Sequence, residues 1–164
     1  EFTDWDLGLY IQAILDAETL GLIKTNGSWG ADDRLNKVLT FLEQRPLMKS
    51  GLPYLSYSSL TGQNASLLSQ VATDAGCLFV SLKNVENAKP ELKQRIDTIV
   101  YNLTNYEPHK HQIDILLKDI QRGHDEPTMY DYYVSSGFAY FWPERFTNTT
   151  QALLDYSLSC PVVN

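Results

Sequence analysis

The stretch TDWDLGLYIQAILDAETLGLI, residues 3–23, decides the fold class. Its apolar residues Leu7, Tyr10, Ile11, Ile14, Leu15 and Leu22 recur three and four positions apart, the spacing that gathers side chains on one face of an α-helix. Thr3 followed by Asp6 matches a capping box, in which a hydroxyl and a carboxylate satisfy orphan N–H groups at the helix start. With Leu7 at zero on a wheel of about 100° per residue, Asp4 falls at roughly 60° and Asp6 at roughly 260°. The two acids flank opposite sides of the apolar stripe and cannot share one role. Asp4 is expected to serve the helix terminus, and Asp6, with Trp5 and Tyr10, to face a cleft.

The same periodicity continues along the chain. Leu35, Val38, Leu39 and Leu42 mark a second helix over about 32–45, stopped by Pro46, so the first two helices form a hairpin. KSGLPYLSYSSLTGQN, residues 49–64, has no period and is rich in Gly, Pro and Ser, which predicts a long loop carrying Tyr54 and Tyr57. A third helix is expected over 65–84 through Leu67, Leu68, Val71, Ala75, Leu78 and Leu82, and a fourth follows Pro90 through Leu92, Ile96, Ile99, Val100 and Leu103. Residues 109–121 fit either a helix or a strand. Helices over 127–141 and 147–159 complete an all-α expectation of six helices paired by loops, in a single domain over 1–164.

Composition narrows function mainly by exclusion. The net charge of −7 and pI near 4.8 would repel a phosphate backbone, so nucleic acid is not expected as a partner. No run reaches the roughly 18 apolar residues of a membrane span. The four sequons at Asn26, Asn64, Asn102 and Asn148 lean towards an extracellular or cell-surface location, and two cysteines, Cys77 and Cys160, fit either free thiols or one disulfide. His109-Lys110-His111 with His124 lacks the further spaced ligand of a metal site, and no phosphate loop appears, so no metal or cofactor is expected.

Carboxylates and aromatics remain. Asp74 falls among the apolar residues of the expected third helix, where an acid must be paired, hydrogen-bonded or held protonated by a raised pKa. It could be a buried polar tie or a general acid. HDEPTMYDYY, residues 124–133, sets Asp125, Glu126 and Asp131 beside Tyr130, Tyr132 and Tyr133. Asp125 and Glu126 read as residues preceding a Pro127 that opens a helix. Paired acids flanked by aromatic platforms are also what glycoside hydrolysis needs.

Four blocks together resemble a known family, the glucoamylase-like domain of unknown function 3131, which is similar to a segment of cyclic β-glucan synthases. The opening stretch is similar to its Trp-Asp-(apolar)-Gly-X-Tyr helix, and DDRLNKVLTFLEQRPL with GLPYLSYSSLTGQ resembles its second helix and aromatic loop. SQVATDAGCLFVSL resembles its (Ser/Thr)-X-X-Asp-X-Gly helix, and YDYYVSSGFAYF its Tyr-Glu-X-Tyr-Ala-Ala-X-Gly-Phe segment. The resemblance implies a secreted α/α toroid whose inner helices point their N-terminal ends at a sugar-binding cleft. Carried over, Trp5, Asp6, Tyr10, Tyr57, Asp74 and Tyr130 would line that cleft. Asp131 stands where the family more often has Glu. Six helices are about half of a full toroid, which implies a compact or partial toroid, or completion by self-association or a partner segment.

Three functions follow as expectations, the third being an assembly subunit that completes its fold by association. In the first, the domain binds or hydrolyses a glucan-like polysaccharide, with Asp6, Asp74 and Asp131 as acids and Trp5, Tyr10, Tyr54, Tyr57 and Tyr130 contacting sugar. In the second it is a non-catalytic surface module that binds glycan or protein, and the acids only cap and tie helices.

Overall fold

A computed structural model describes residues 1–103, 110–114, 118, 129–146 and 148–159. Within them the chain is all-helical. The long helices are α1 (Asp4–Thr19), α2 (Ala31–Gln44) and α3 (Ala72–Ala88). After a 3-10 turn at Pro90–Leu92 come the short α4 (Lys93–Asp97) and a π-helical segment (Thr98–Leu103), then α5 (Met129–Phe141) and α6 (Thr149–Ser159). Residues 110–114 and 118 are helical, which favours the helical alternative for that part of 109–121. No helix among the described residues is long and apolar enough to cross a membrane.

The Thr3–Asp6 capping box forms as its spacing predicts. α1 ends at Thr19, three residues before the apolar stripe does, because Gly21 takes a left-handed conformation (φ 70°) and the Leu22 N–H turns back to the Ala17 carbonyl.

α3 requires a correction. It begins at Ala72, not near residue 65. The stretch before it satisfies its backbone on the long loop instead: Gln70 N–H donates to the Pro53 carbonyl and Leu55 N–H to that of Leu68. Leu67, expected in the core, is 84% exposed. Asp74 therefore lies in the first turn of α3, not in its middle.

The helices order themselves through a few contacts. Cys77 Sγ donates to the Trp5 carbonyl at 3.7 Å and Asn84 Nδ2 to Gln12 Oε1 at 2.8 Å, both pairs 72 positions apart, so α1 and α3 run side by side in one direction. α5 continues the row in the same sense: Gly76 meets Val134 and Gly137, and further along Phe79 packs on Phe138, Phe141 and Trp142. A Cβ on Gly76 would lie 2.6 Å from the Val134 carbonyl oxygen, and one on Gly137 would overlap the Gly76 carbonyl. Only glycine lets the two backbones approach this closely.

α2 runs antiparallel to α1, as the expected hairpin requires. Its end brings Arg45 to Asp4, while at its start Asp32 shares Lys89 with Glu18 near the end of α1. Arg95 of α4 forks onto Glu43 of α2 at 2.7 and 2.8 Å. The core between these helices contains Ile11, Leu35, Leu39, Leu78, Leu82 and Phe138. The loop from Arg45 to Val71 folds back over the starts of α1 and α3, and Tyr57 exchanges two backbone hydrogen bonds with Phe2.

Candidate functional site

Three parallel helices with matched starts bring three acid-bearing first turns to one end of the molecule: Asp4 and Asp6 from α1, Asp74 from α3 and Asp131 from α5. Each helix terminus presents orphan N–H groups and a positive dipole end, so carboxylates are favoured there. Their surroundings then divide their roles.

Asp4 is 1% exposed and is held by the Arg45 guanidinium at 2.5 Å and by the Gln70 amide. Gln112 in turn donates to the Gln70 carbonyl, and Arg45 lies over the Tyr57 ring at 5.5 Å. This buried network ties α1, α2 and the loop together. It corrects the expectation that Asp4 merely serves the helix terminus.

Asp6 supplies the cap. Its carboxylate accepts from Thr3 N–H at 2.9 Å and from the Thr3 hydroxyl at 3.2 Å. It remains exposed, and with Phe2, Leu7 and Tyr10 it lines an open depression of about 280 Å³.

Asp74 is half-buried, and its pKa is raised above the ordinary carboxylate range. Burial is the main cause and the charge of Asp4 the next; the hydroxyls of Thr3 and Thr73 pull the other way, and the charge of Asp6 adds to the rise. A carboxyl so placed keeps its proton to higher pH than a free aspartate, the condition a general acid needs. The acid of α3 thus lies within electrostatic reach of both acids of α1.

One turn deeper, the Cys77 thiol is buried and pushed up to about 11, chiefly by burial, against a hydrogen bond from Tyr133 that lowers it. Tyr133 itself is raised to about 12 by burial and by the neighbouring thiol. A neutral thiol is a poor nucleophile, so Cys77 serves as packing. It is a free cysteine; Cys160 lies outside the described residues.

The aromatic expectations divide. Trp5 is half-buried and edge-on to Tyr133 at 6.3 Å, and Tyr10 is 44% exposed beside Asp6. Tyr54 is half-buried, its N–H donating to the Tyr57 hydroxyl. Tyr57 has no exposed surface; its hydroxyl donates to the Pro46 carbonyl and its ring packs on Phe2 and Phe41. A ring without an open face holds the loop and cannot stack on a sugar. Asp131 is half-buried in the first turn of α5. Tyr130 precedes it in the helix, and its side chain, like His109, His124, Asp125 and Glu126, lies outside the described residues.

Sequence reasoning missed Arg45 and Gln70, which no local pattern links to Asp4, and Tyr133, read only as part of an aromatic run.

A family model described as a protein of unknown function (DUF3131) matches residues 1–148. The chain belongs to that family. The matched segment of this DUF3131 chain includes α1 to α5, and with them every acid gathered at the helix starts. No curated protein and no solved structure matches the chain.

Proposed function

We propose that this DUF3131 chain is a carbohydrate-active domain that takes a glucan-like polysaccharide at the joined starts of α1, α3 and α5 and hydrolyses it. The observation that carries the reading is the half-buried Asp74 carboxyl, biased towards its protonated form next to the exposed carboxylate of Asp6. A carboxyl held towards its protonated form beside a second carboxylate suits the division into proton donor and nucleophile or base. Asp74 donates to the glycosidic oxygen. Asp6 or Asp131 supports the sugar carbon or activates water, and Trp5 and Tyr10 offer aromatic surface to the ring.

The parallel row with an antiparallel α2 supports a compact or partial α/α toroid, whose remaining helices come from self-association or a partner segment. Asn26, Asn64 and Asn148 are exposed, which supports glycosylation and an extracellular or cell-surface location.

A second reading is favoured by one observation. Asp6 is already engaged in its capping box and Asp4 in a buried ion pair, as in a surface module that binds glycan or protein without turning it over.

Glycan-array binding followed by measurement of reducing-end release tests the proposal. Retention of a glucan with accumulation of reducing ends is expected. Retention without release leaves the second reading, and no glycan retained overturns both sugar readings.

A further inference from the structure

Trp29 combines three features. It is 66% exposed, it adopts a left-handed backbone (φ 66°) that bulky L residues rarely tolerate, and an array of polar contacts holds it there. Its N–H donates to Asp33 at 2.9 Å, its carbonyl accepts from Arg34 Nε at 2.8 Å, and Lys37 Nζ lies 4.4 Å from its ring centre. Trp29 precedes the Gly30 N-cap of α2, and Arg34 is the fourth helical residue, so the pair occupies the positions of a hydrophobic staple. A staple accounts for the contact with Arg34. It accounts neither for the strained backbone nor for an indole that stays largely exposed with the Arg34 and Lys37 cations against it.

Arg34 also donates from Nη1 to the Tyr10 hydroxyl at 3.3 Å, so one guanidinium fixes two exposed aromatic residues relative to each other. Tyr10 is shared by two depressions: the one at Asp6, and a second of about 220 Å³ lined by Tyr10, Ala13, Ile14, Ala17, Ile23 and Arg34. Together they run along α1 from Asp6 to Ala17, about 16 Å at 1.5 Å per residue. Apart from Asp6, Tyr10 and Arg34 the residues lining the two depressions are apolar, and Trp29 adjoins them through Arg34, whose guanidinium lies 5.5 Å from its ring centre. Flat apolar surface bordered by hydrogen-bonding groups suits the faces and hydroxyls of successive pyranose rings.

We propose that Trp29, with Tyr10 and Arg34, forms a distal subsite that extends the groove beyond Asp6, so that the ligand is a linear oligosaccharide segment and not a single sugar. This rests on the glucan reading above. The acids at the helix starts hold one end of the segment, and Trp29 holds a unit farther along.

The test is calorimetric titration of the folded chain with linear gluco-oligosaccharides from disaccharide to hexasaccharide, using wild type and the Trp29→Gly and Trp29→Phe variants. Glycine accepts the left-handed backbone without strain, so Trp29→Gly is expected to fold with undiminished Tm. Wild-type affinity should rise with chain length. Trp29→Gly should lose that rise, with the longest ligand weakened about tenfold or more and the disaccharide unchanged. Trp29→Phe should recover part of the gain. Equal affinity of wild type and Trp29→Gly at every length overturns the distal subsite and leaves the glucan reading standing. Absence of binding at any length overturns both.

Discussion

Asp4 and Arg45, 41 positions apart, meet at 2.5 Å with side chains 1% and 2% exposed, joining the start of α1 to the end of α2. A charge pair so dry holds only while both partners are present. Arg45→Met leaves the Asp4 carboxylate buried with only the Gln70 amide, and should cost roughly 3–5 kcal/mol in denaturant unfolding. The double variant Asp4→Leu/Arg45→Met should recover most of that loss, since no uncompensated charge then remains.

Asp74 should behave in the opposite way. Its folded pKa is raised, so its contribution to stability is complete below the ordinary carboxylate range and is lost as pH climbs through the raised value. At neutral pH its ionised form is a liability beside Asp4 and Asp6. The direction of the shift means that burial and like charge outweigh the favourable helix terminus. Asp74→Asn is therefore expected to raise Tm at neutral pH, and the difference should shrink as the solution is acidified. A lower Tm at neutral pH would show that Asp74 is a stabilising tie.

Gly137→Ala places a methyl group against the Gly76 carbonyl, where backbone cannot yield as a side chain can. α3 and α5 must separate, at a cost near the upper end of roughly 1–3 kcal/mol or beyond. Because α5 carries Asp131 and Tyr133, glycan affinity should fall together with Tm.

Cys77, raised to about 11 and buried, should resist alkylation by iodoacetamide at neutral pH in the native state and react once the chain is unfolded. Peptide mapping of the labelled sites distinguishes it from Cys160. Rapid native labelling at Cys77 would contradict the packing of α1 on α3.

The helical fold was legible because the stripes of α1 and α2 and the Thr3–Asp6 cap are local patterns, each fixed by neighbours within one or two turns. The start of α3 was not. Leu67, Leu68 and Val71 extend its apolar period upstream, yet the loop claims the backbone there, with Leu55 N–H on the Leu68 carbonyl and Gln70 N–H on that of Pro53, and the three side chains stay in water. Asp74 was singled out for lying in mid-helix, but its raised pKa comes from burial and the acids of α1. The role of Asp4 was not legible for a similar reason. A helical wheel orders side chains around an axis but cannot know that Arg45 and Gln70 will arrive beside one of them. Tyr57 likewise carries no sequence mark distinguishing a ring that closes a loop from one that greets a ligand.

The most direct measurement compares reducing-end release from a bound glucan by wild type and Asp74→Asn, with affinity and folding measured in parallel. Asp74→Asn is expected to bind the glucan as wild type does, to remain folded and to lose turnover by about 100-fold or more, the scale of a missing general acid. Turnover unchanged by Asp74→Asn, with binding and folding intact, would contradict that role.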